Sequence, residues 1–105
     1  MTVYVDDMRA KFRGMLMCHM IADTEEELHA MADKISIKRA WYQGNHYDIS
    51  LSRRADAVRN GAVEITWCTL AKMKARRRVT GTLGTPGDAD KWYSAYNKAL
   101  VRGMI

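Results

Sequence analysis

The sequence predicts a small α/β protein: a three- to four-stranded, mostly parallel sheet with flanking helices, plus a C-terminal helix after a Gly/Thr-rich linker. Three observations carry this expectation. Apolar and polar residues alternate in Thr2–Val5, His46–Ser50 and Ala62–Trp67, the period of a strand. Apolar residues recur at helical spacing in the segments that follow two of those strands. The resulting order, β-β-α-β-α-β-α and then a linker and a helix, is one that packs helices on a sheet.

Taken in order, Thr2-Val-Tyr-Val5 is a first strand ending at Asp6-Asp7. Met8–Gly14 is polar and basic, and too short for a helical crossover, which needs about a dozen residues. Met15–Ala22 is apolar on both faces, as in a buried central strand. Asp23-Thr24 is placed to cap a helix whose stripe is Leu28, Met31, Ala32 and Ile35, with Glu25–Glu27 at its positive end. Ser36–Asn45 is a connection. A strand over 46–50 leads through Ser50 or Ser52 as cap into a helix to about Asn60, closed by Gly61. Ala62–Trp67 is a fourth strand, and Thr69 opens a third helix to about Arg77. Thr80–Gly87 holds three glycines and the only proline, and Asp88 caps a last helix carrying Trp92, Tyr96, Ala99 and Leu100. The expected division is an α/β domain over 1–78 and a linker with its helix over 79–105. The two strand–helix–strand units, Asp23–Ser50 and His46–Trp67, predict right-handed parallel crossovers.

At 105 residues, 48% hydrophobic and 28% charged, the composition is that of one globular domain. No apolar run reaches the roughly 20 residues of a membrane span, and the start lacks the pattern of a signal peptide. Cys18 and Cys68 have no CxxC spacing and are expected to be reduced thiols in a cytoplasmic protein. The net charge of +5 is uneven. Residues 1–70 carry nine Lys/Arg against ten Asp/Glu, whereas 71–105 carry eight against two, a net +6. A basic segment of this kind attracts phosphate or an acidic protein surface.

No GxGxxG, P-loop, GxSxG, HExxH or zinc-spaced Cys/His set is present. Candidate chemistry therefore comes from single residues. His46 and Asp48 share one strand face about 6.5–7 Å apart and suit acid–base work, metal ligation or an orienting pair, or else a plain solvent-facing edge. Tyr47 points the other way. His19 stands in an apolar stretch, where an imidazole needs partners for its nitrogens. His29 reads as a surface or half-buried residue. Asp6, Asp7 and Asp23 follow strand ends, where ligands bind in open α/β sheets, although Asp23 also suits a helix cap. The short link 8–14 allows an antiparallel hairpin that would carry Asp6 to the opposite end. Lys72, Lys74, Arg76, Arg77 and Arg78 form a basic patch suited to phosphates, or a solvated helix end. Trp92, Tyr93 and Tyr96 suit packing more than base stacking, or a homodimer contact.

The segments VYVDD, CHMIADTEEELHAMA, HYDIS and SRRADAVRNGA resemble a bacterial and phage family called domain of unknown function 4031, over roughly residues 1–75. Its pattern touches Asp6, His19, Asp23, Glu27, Leu28, His29, Arg39, His46, Tyr47, Asp48, Arg54 and Gly61. The resemblance implies one polar cluster and supplies no activity. Residues 79–105 lie outside it, and the tail-bearing form is similar to small phage proteins. The function expected first is a phage-type accessory protein that binds a phosphate-containing ligand such as a nucleotide. His19, His46 and Asp48 would act on that ligand, and Asp6, Asp23, Arg39, Tyr47, Arg53 and Arg54 would hold it. The alternatives are a non-catalytic protein that binds a host factor or nucleic-acid enzyme through the basic tail, and a divalent-metal-dependent hydrolase using His19, His46 and Asp48. The sequence names no cofactor.

Overall fold

Arg13 and Gly14 set the geometry of the first half of the chain. Phe12 pairs with Met15 across these two residues, and both carry positive φ, 50° and 79°. That is the backbone a two-residue hairpin loop requires, with glycine at the second position. The computed structural model describes residues 2–104 and divides the chain into two compact units, one ending at Thr66 and one beginning at Trp67.

In the first unit, β1 (Val3–Val5) and β2 (Ala10–Phe12) both run antiparallel to β3 (Met15–Ala22). Val5 pairs with Met20 and Ala10 with Met17, so five steps along one strand face three along the other. β1 and β2 are thus one hairpin arm broken by a bulge at residues 6–9, a feature that re-aims side chains. β4 (Tyr47–Ser50) lies antiparallel on the other edge of β3, with His19 opposite Asp48. β5 (Val63–Glu64) runs parallel to β1.

The α/β class is therefore as the sequence predicts, but the sheet has five strands and is mixed, with β1–β5 its one parallel pairing among the described residues. The expectation of a mostly parallel sheet fails for two physical reasons. The segment 8–14, read as a connection, supplies β2 and a tight turn that folds β3 straight back. In the unit Asp23–Ser50, α1 (Glu25–Lys34) runs about 15 Å, and the connection through a 3-10 turn at Arg39–Trp41 is long enough to retrace it. The chain then enters β4 antiparallel to β3. β4 and β5 do point the same way, yet β3 and β1 lie between them.

One sheet face and two helices make the core. Val3, Val5, Cys18, Met20, Ala22, Tyr47 and Ile49 meet Leu28, Met31, Ala32 and Ile35 of α1 and its C-cap and Ala57 of α2 (Leu51–Arg59). Thr24, not Asp23, caps α1: its hydroxyl oxygen accepts the Glu27 N–H at 3.2 Å and donates to the Glu27 carboxylate at 3.0 Å. Asp23 instead accepts the Thr2 N–H at 2.9 Å, tying down the start of β1. Ser50 caps α2 through the Arg53 N–H. By strand alternation His19, Asp48 and Asp6 face away from this core.

The second unit comprises α3 (Trp67–Thr80) and α4 (Ala89–Val101), joined through a 3-10 turn at Pro86–Asp88. α3 opens at Trp67, two residues ahead of the expected start, which shortens the predicted strand 62–67 to Val63–Glu64. Trp92 and Tyr96 stack with centroids 5.0 Å apart, and the Arg76 guanidinium lies over Trp92. Gly84, at φ 67°, lies against that guanidinium, which a Cβ there would displace. No helix among the described residues is long and apolar enough to cross a membrane.

Candidate metal centre

The hairpin bulge places Asp6 where β1 stops pairing. Its backbone N–H still donates to the His19 carbonyl at 3.1 Å, while its carboxylate takes the role a strand carbonyl would have had. Oδ1 accepts the His19 backbone N–H at 2.8 Å and the Met8 N–H at 3.3 Å, and Oδ2 meets His19 Nδ1 at 2.8 Å. Asp6 is fully buried. Burial raises its pKa, but the hydrogen bonds from the His19 ring and backbone, with the charge of that ring, outweigh burial and hold the carboxyl below its ordinary range. From α2, Arg54 Nε donates to the Asp6 carbonyl at 2.7 Å and Nη1 pairs with Glu64 at 2.7 Å. The site's anchor is thereby tied to three elements.

With Nδ1 on Asp6, the ring of His19 turns Nε2 toward Asp48, whose Oδ1 lies 3.8 Å away. His46, immediately before β4, brings its Nε2 to 3.3 Å from the same oxygen. The two imidazoles meet edge to face with centroids 5.3 Å apart. Two neighbours orient this pair from outside: Gln43 Nε2 donates to Asp48 Oδ2 at 2.7 Å, and Asn45 Oδ1 lies 2.6 Å from His46 Nδ1. One donor atom each from His19, His46 and Asp48 lies within 4.8 Å of the others. Their side chains are 21%, 15% and 40% exposed, so the cluster is reachable from solvent.

Two imidazoles and a carboxylate suit a divalent cation such as zinc, which binds such ligands at about 2.0–2.2 Å and keeps a position for water in catalytic sites. A shift of about 1 Å closes the widest pair to that geometry. A metal-bound histidine commonly gives its second nitrogen to a carboxylate, which fixes ring orientation and raises ligand basicity. Asp6 stands in that position behind His19.

A family model described as "Protein of unknown function (DUF4031)" matches residues 3–77. The chain belongs to the DUF4031 family. No curated protein and no solved structure matches it. The DUF4031 match ends within α3, so it takes in every residue of the cluster and leaves α4 outside.

The other residues singled out in this DUF4031 chain go elsewhere. Tyr47 is fully buried on the opposite sheet face, where its hydroxyl meets Nδ1 of His29 at 2.7 Å. His29, read as a surface or half-buried residue, is only 8% exposed, because Tyr47 and Glu25 partner both its ring nitrogens. Asp23 holds Thr2, and Arg53 lies 3.6 Å from Asp56. Arg39 borders a separate groove with Glu25, His29 and Asp33. In the basic patch Lys72 pairs with Asp90 and Arg76 covers Trp92, while Arg78 is exposed. Gln43 and Asn45 escaped the sequence reading. Their signal was position alone, two polar residues directly ahead of His46.

Proposed function

We propose that this DUF4031 protein binds a divalent metal ion through His19, His46 and Asp48 and uses it for hydrolysis. The observation that carries the reading is the Asp6 carboxylate on Nδ1 of His19, which commits the other ring nitrogen to the side shared by Asp48 and His46. A cation held there supplies a Lewis acid and a water of lowered pKa. The chain supplies the rest. Asp6 fixes the His19 tautomer, Gln43 orients Asp48, and Asn45 orients His46.

The geometry favours this reading over a phosphate site built on arginines. Arg54 is engaged with Asp6 and Glu64, Arg53 neighbours Asp56, and Arg39 borders the other groove. Partner binding through the basic tail rests on charge alone. A reducing cytoplasm suits the two thiols, which are not bridged.

Elemental analysis of protein purified without a His tag tests the proposal. It should find one divalent ion per chain, removable by chelator together with any hydrolytic activity. Metal-free protein whose activity ignores chelator would sink the reading.

A further inference from the structure

The cluster opens on a cavity of about 440 Å³, and strand alternation decides which strand side chains turn toward it. Ala10 pairs with Met17 and Phe12 with Met15, so Ala10, Phe12 and Met17 share the face of His19. Lys11 and Cys18 also border the cavity, but Lys11 pairs with Leu16 and alternates with Cys18 to the opposite face. Their side chains leave the sheet on the side away from the cluster. Met8, Trp41 and Gln43 complete the border. Arg13 lies outside it: its guanidinium covers part of the Phe12 ring, 5.2 Å from the centroid. That charge is exposed and sits at the Phe12–Met15 pair, four residues or about 13 Å along β3 from His19, so solvent screens it from the cluster. The polar end of the cavity is thus His19, Asp48 and Gln43, beside an apolar remainder of the kind that holds a ligand's apolar group.

We propose that the substrate is a carboxylic ester whose apolar acyl group occupies this cavity. This rests on the metal reading above. A divalent cation against Asp48 and Asp6 leaves no net charge, and Arg54 is paired with Glu64, so the site suits a neutral reacting group. A phosphate ester would bring anionic oxygens of which the cation meets only some. The others would be buried against Met17, Phe12 and Trp41 without a partner, which is costly. An ester carbonyl has one oxygen to satisfy. Gln43 supplies a second electrophile for it: one Nε2 hydrogen goes to Asp48 Oδ2 at 2.7 Å, and the amide nitrogen carries another. That hydrogen can stabilise the negative charge that develops on the carbonyl oxygen as water adds. An amide fits less well, because its amine must be protonated to leave. Among the described residues, the titratable side chains on the cavity face are His19 and Asp48, and both are committed to the cation.

The step balances with water alone. The water oxygen bonds to the carbonyl carbon, and the bond from that carbon to the leaving oxygen breaks. One water hydrogen stays on the new carboxylic acid and the other passes to the leaving oxygen. The products are a carboxylic acid and an alcohol.

The test uses p-nitrophenyl acetate, butyrate and hexanoate, with methyl p-nitrophenyl phosphate as the anionic ester of the same leaving group, on the metal-loaded full chain. Metal content is measured in parallel, and each kcat/KM is divided by the rate with the metal ion alone, which cancels intrinsic reactivity. The quotient should rise about fourfold for each added methylene until the cavity is filled, and the phosphate ester should gain least. Phe12 and Trp41 are 44% and 51% exposed, so their truncation spares the core. Phe12→Ala and Trp41→Ala should each cut the hexanoate-to-acetate ratio by roughly four- to fifteenfold, the worth of one or two methylenes, while metal content and acetate turnover hold. Lys11→Met and Arg13→Asn should leave every ester as it was. A selective loss with the phosphate ester in either variant would show that a cation does read an anionic substrate there, and would overturn the neutral class. Bound metal with no dependence on acyl length, with the phosphate ester accelerated most, or with turnover of none, overturns the proposal and leaves the metal centre standing. Absence of bound metal removes both.

Discussion

Asp6 holds His19 twice, at the ring Nδ1 and at the backbone N–H, each at 2.8 Å. A single buried carboxylate thus sets both the tautomer of a ligand and the register of the strand that carries it. Its removal should therefore be felt in stability as well as in chemistry. Asp6→Ala leaves the His19 and Met8 N–H groups without their acceptor and should cost about 1–3 kcal/mol for each one that stays buried and unmet. Chemical denaturation of wild type and variant measures the loss, and equal midpoints would show that the contact is idle.

The same carboxylate gives a signed pH effect. Its pKa is lower in the folded chain than the ordinary value because the His19 hydrogen bonds outweigh burial. A depressed folded value means that ionised Asp6 adds stability above the unfolded pKa, near 4, and that this is lost as pH falls through the folded value. The stability gap between wild type and Asp6→Asn should narrow as pH falls below about 4. A gap that widens on acidification contradicts the assignment.

Tyr47 and His29 meet on the opposite sheet face, away from the cluster. Tyr47→Phe should lower stability by about 1–3 kcal/mol by leaving a buried ring nitrogen without its partner. It should leave metal affinity unchanged. A large loss of affinity would place Tyr47 in the site after all.

Arg13 stands in the left-handed region at φ 50°, where asparagine is better tolerated. Arg13→Asn creates the Asn-Gly pair favoured in this turn and should stabilise the fold by about 0.5–1 kcal/mol. Thermal melting should show a rise of a few degrees, and a lower Tm would mean that the contact of the Arg13 guanidinium with the Phe12 ring, 5.2 Å from its centroid, is worth more than the turn strain.

The two thiols should differ sharply in reactivity. Burial, with the nearby Asp6 charge, pushes the Cys18 thiol up to about 12, whereas Cys68 is exposed. An aromatic disulfide reagent at neutral pH should titrate one thiol in the native protein and two in denaturant. Two fast native thiols would contradict the buried placement of Cys18.

Much of the fold was legible in the sequence, and the reasons are local. Caps and stripes located the four helices of the described residues, and an unbroken apolar run located the strand 15–22. Strand direction was legible only as an alternative. The shortness of 8–14 allowed the antiparallel hairpin that the structure has, but the turn lies at Arg13-Gly14, a pair whose hairpin geometry an arginine conceals. The segment 8–14 therefore passed as a connection, and the sheet passed as mostly parallel. The same gap hid the arrangement of the site. His19, Asp48 and Asp6 are brought level only once β1 and β4 are known to flank β3 antiparallel. Asp23 passed for a neighbour of Asp6 because parallel strands would have put both at one sheet edge. The hairpin sends them to opposite ends of β1.

The central claim is that His19, His46 and Asp48 hold a metal ion with Asp6 as support. Calorimetric titration of chelator-stripped wild type, His46→Ala and Asp6→Asn with zinc tests it directly. The account predicts one site per chain, lost in His46→Ala and weakened about 10–100-fold in Asp6→Asn, with both variants folded by circular dichroism. Zinc binding that is absent from wild type, or indifferent to both substitutions, would contradict it.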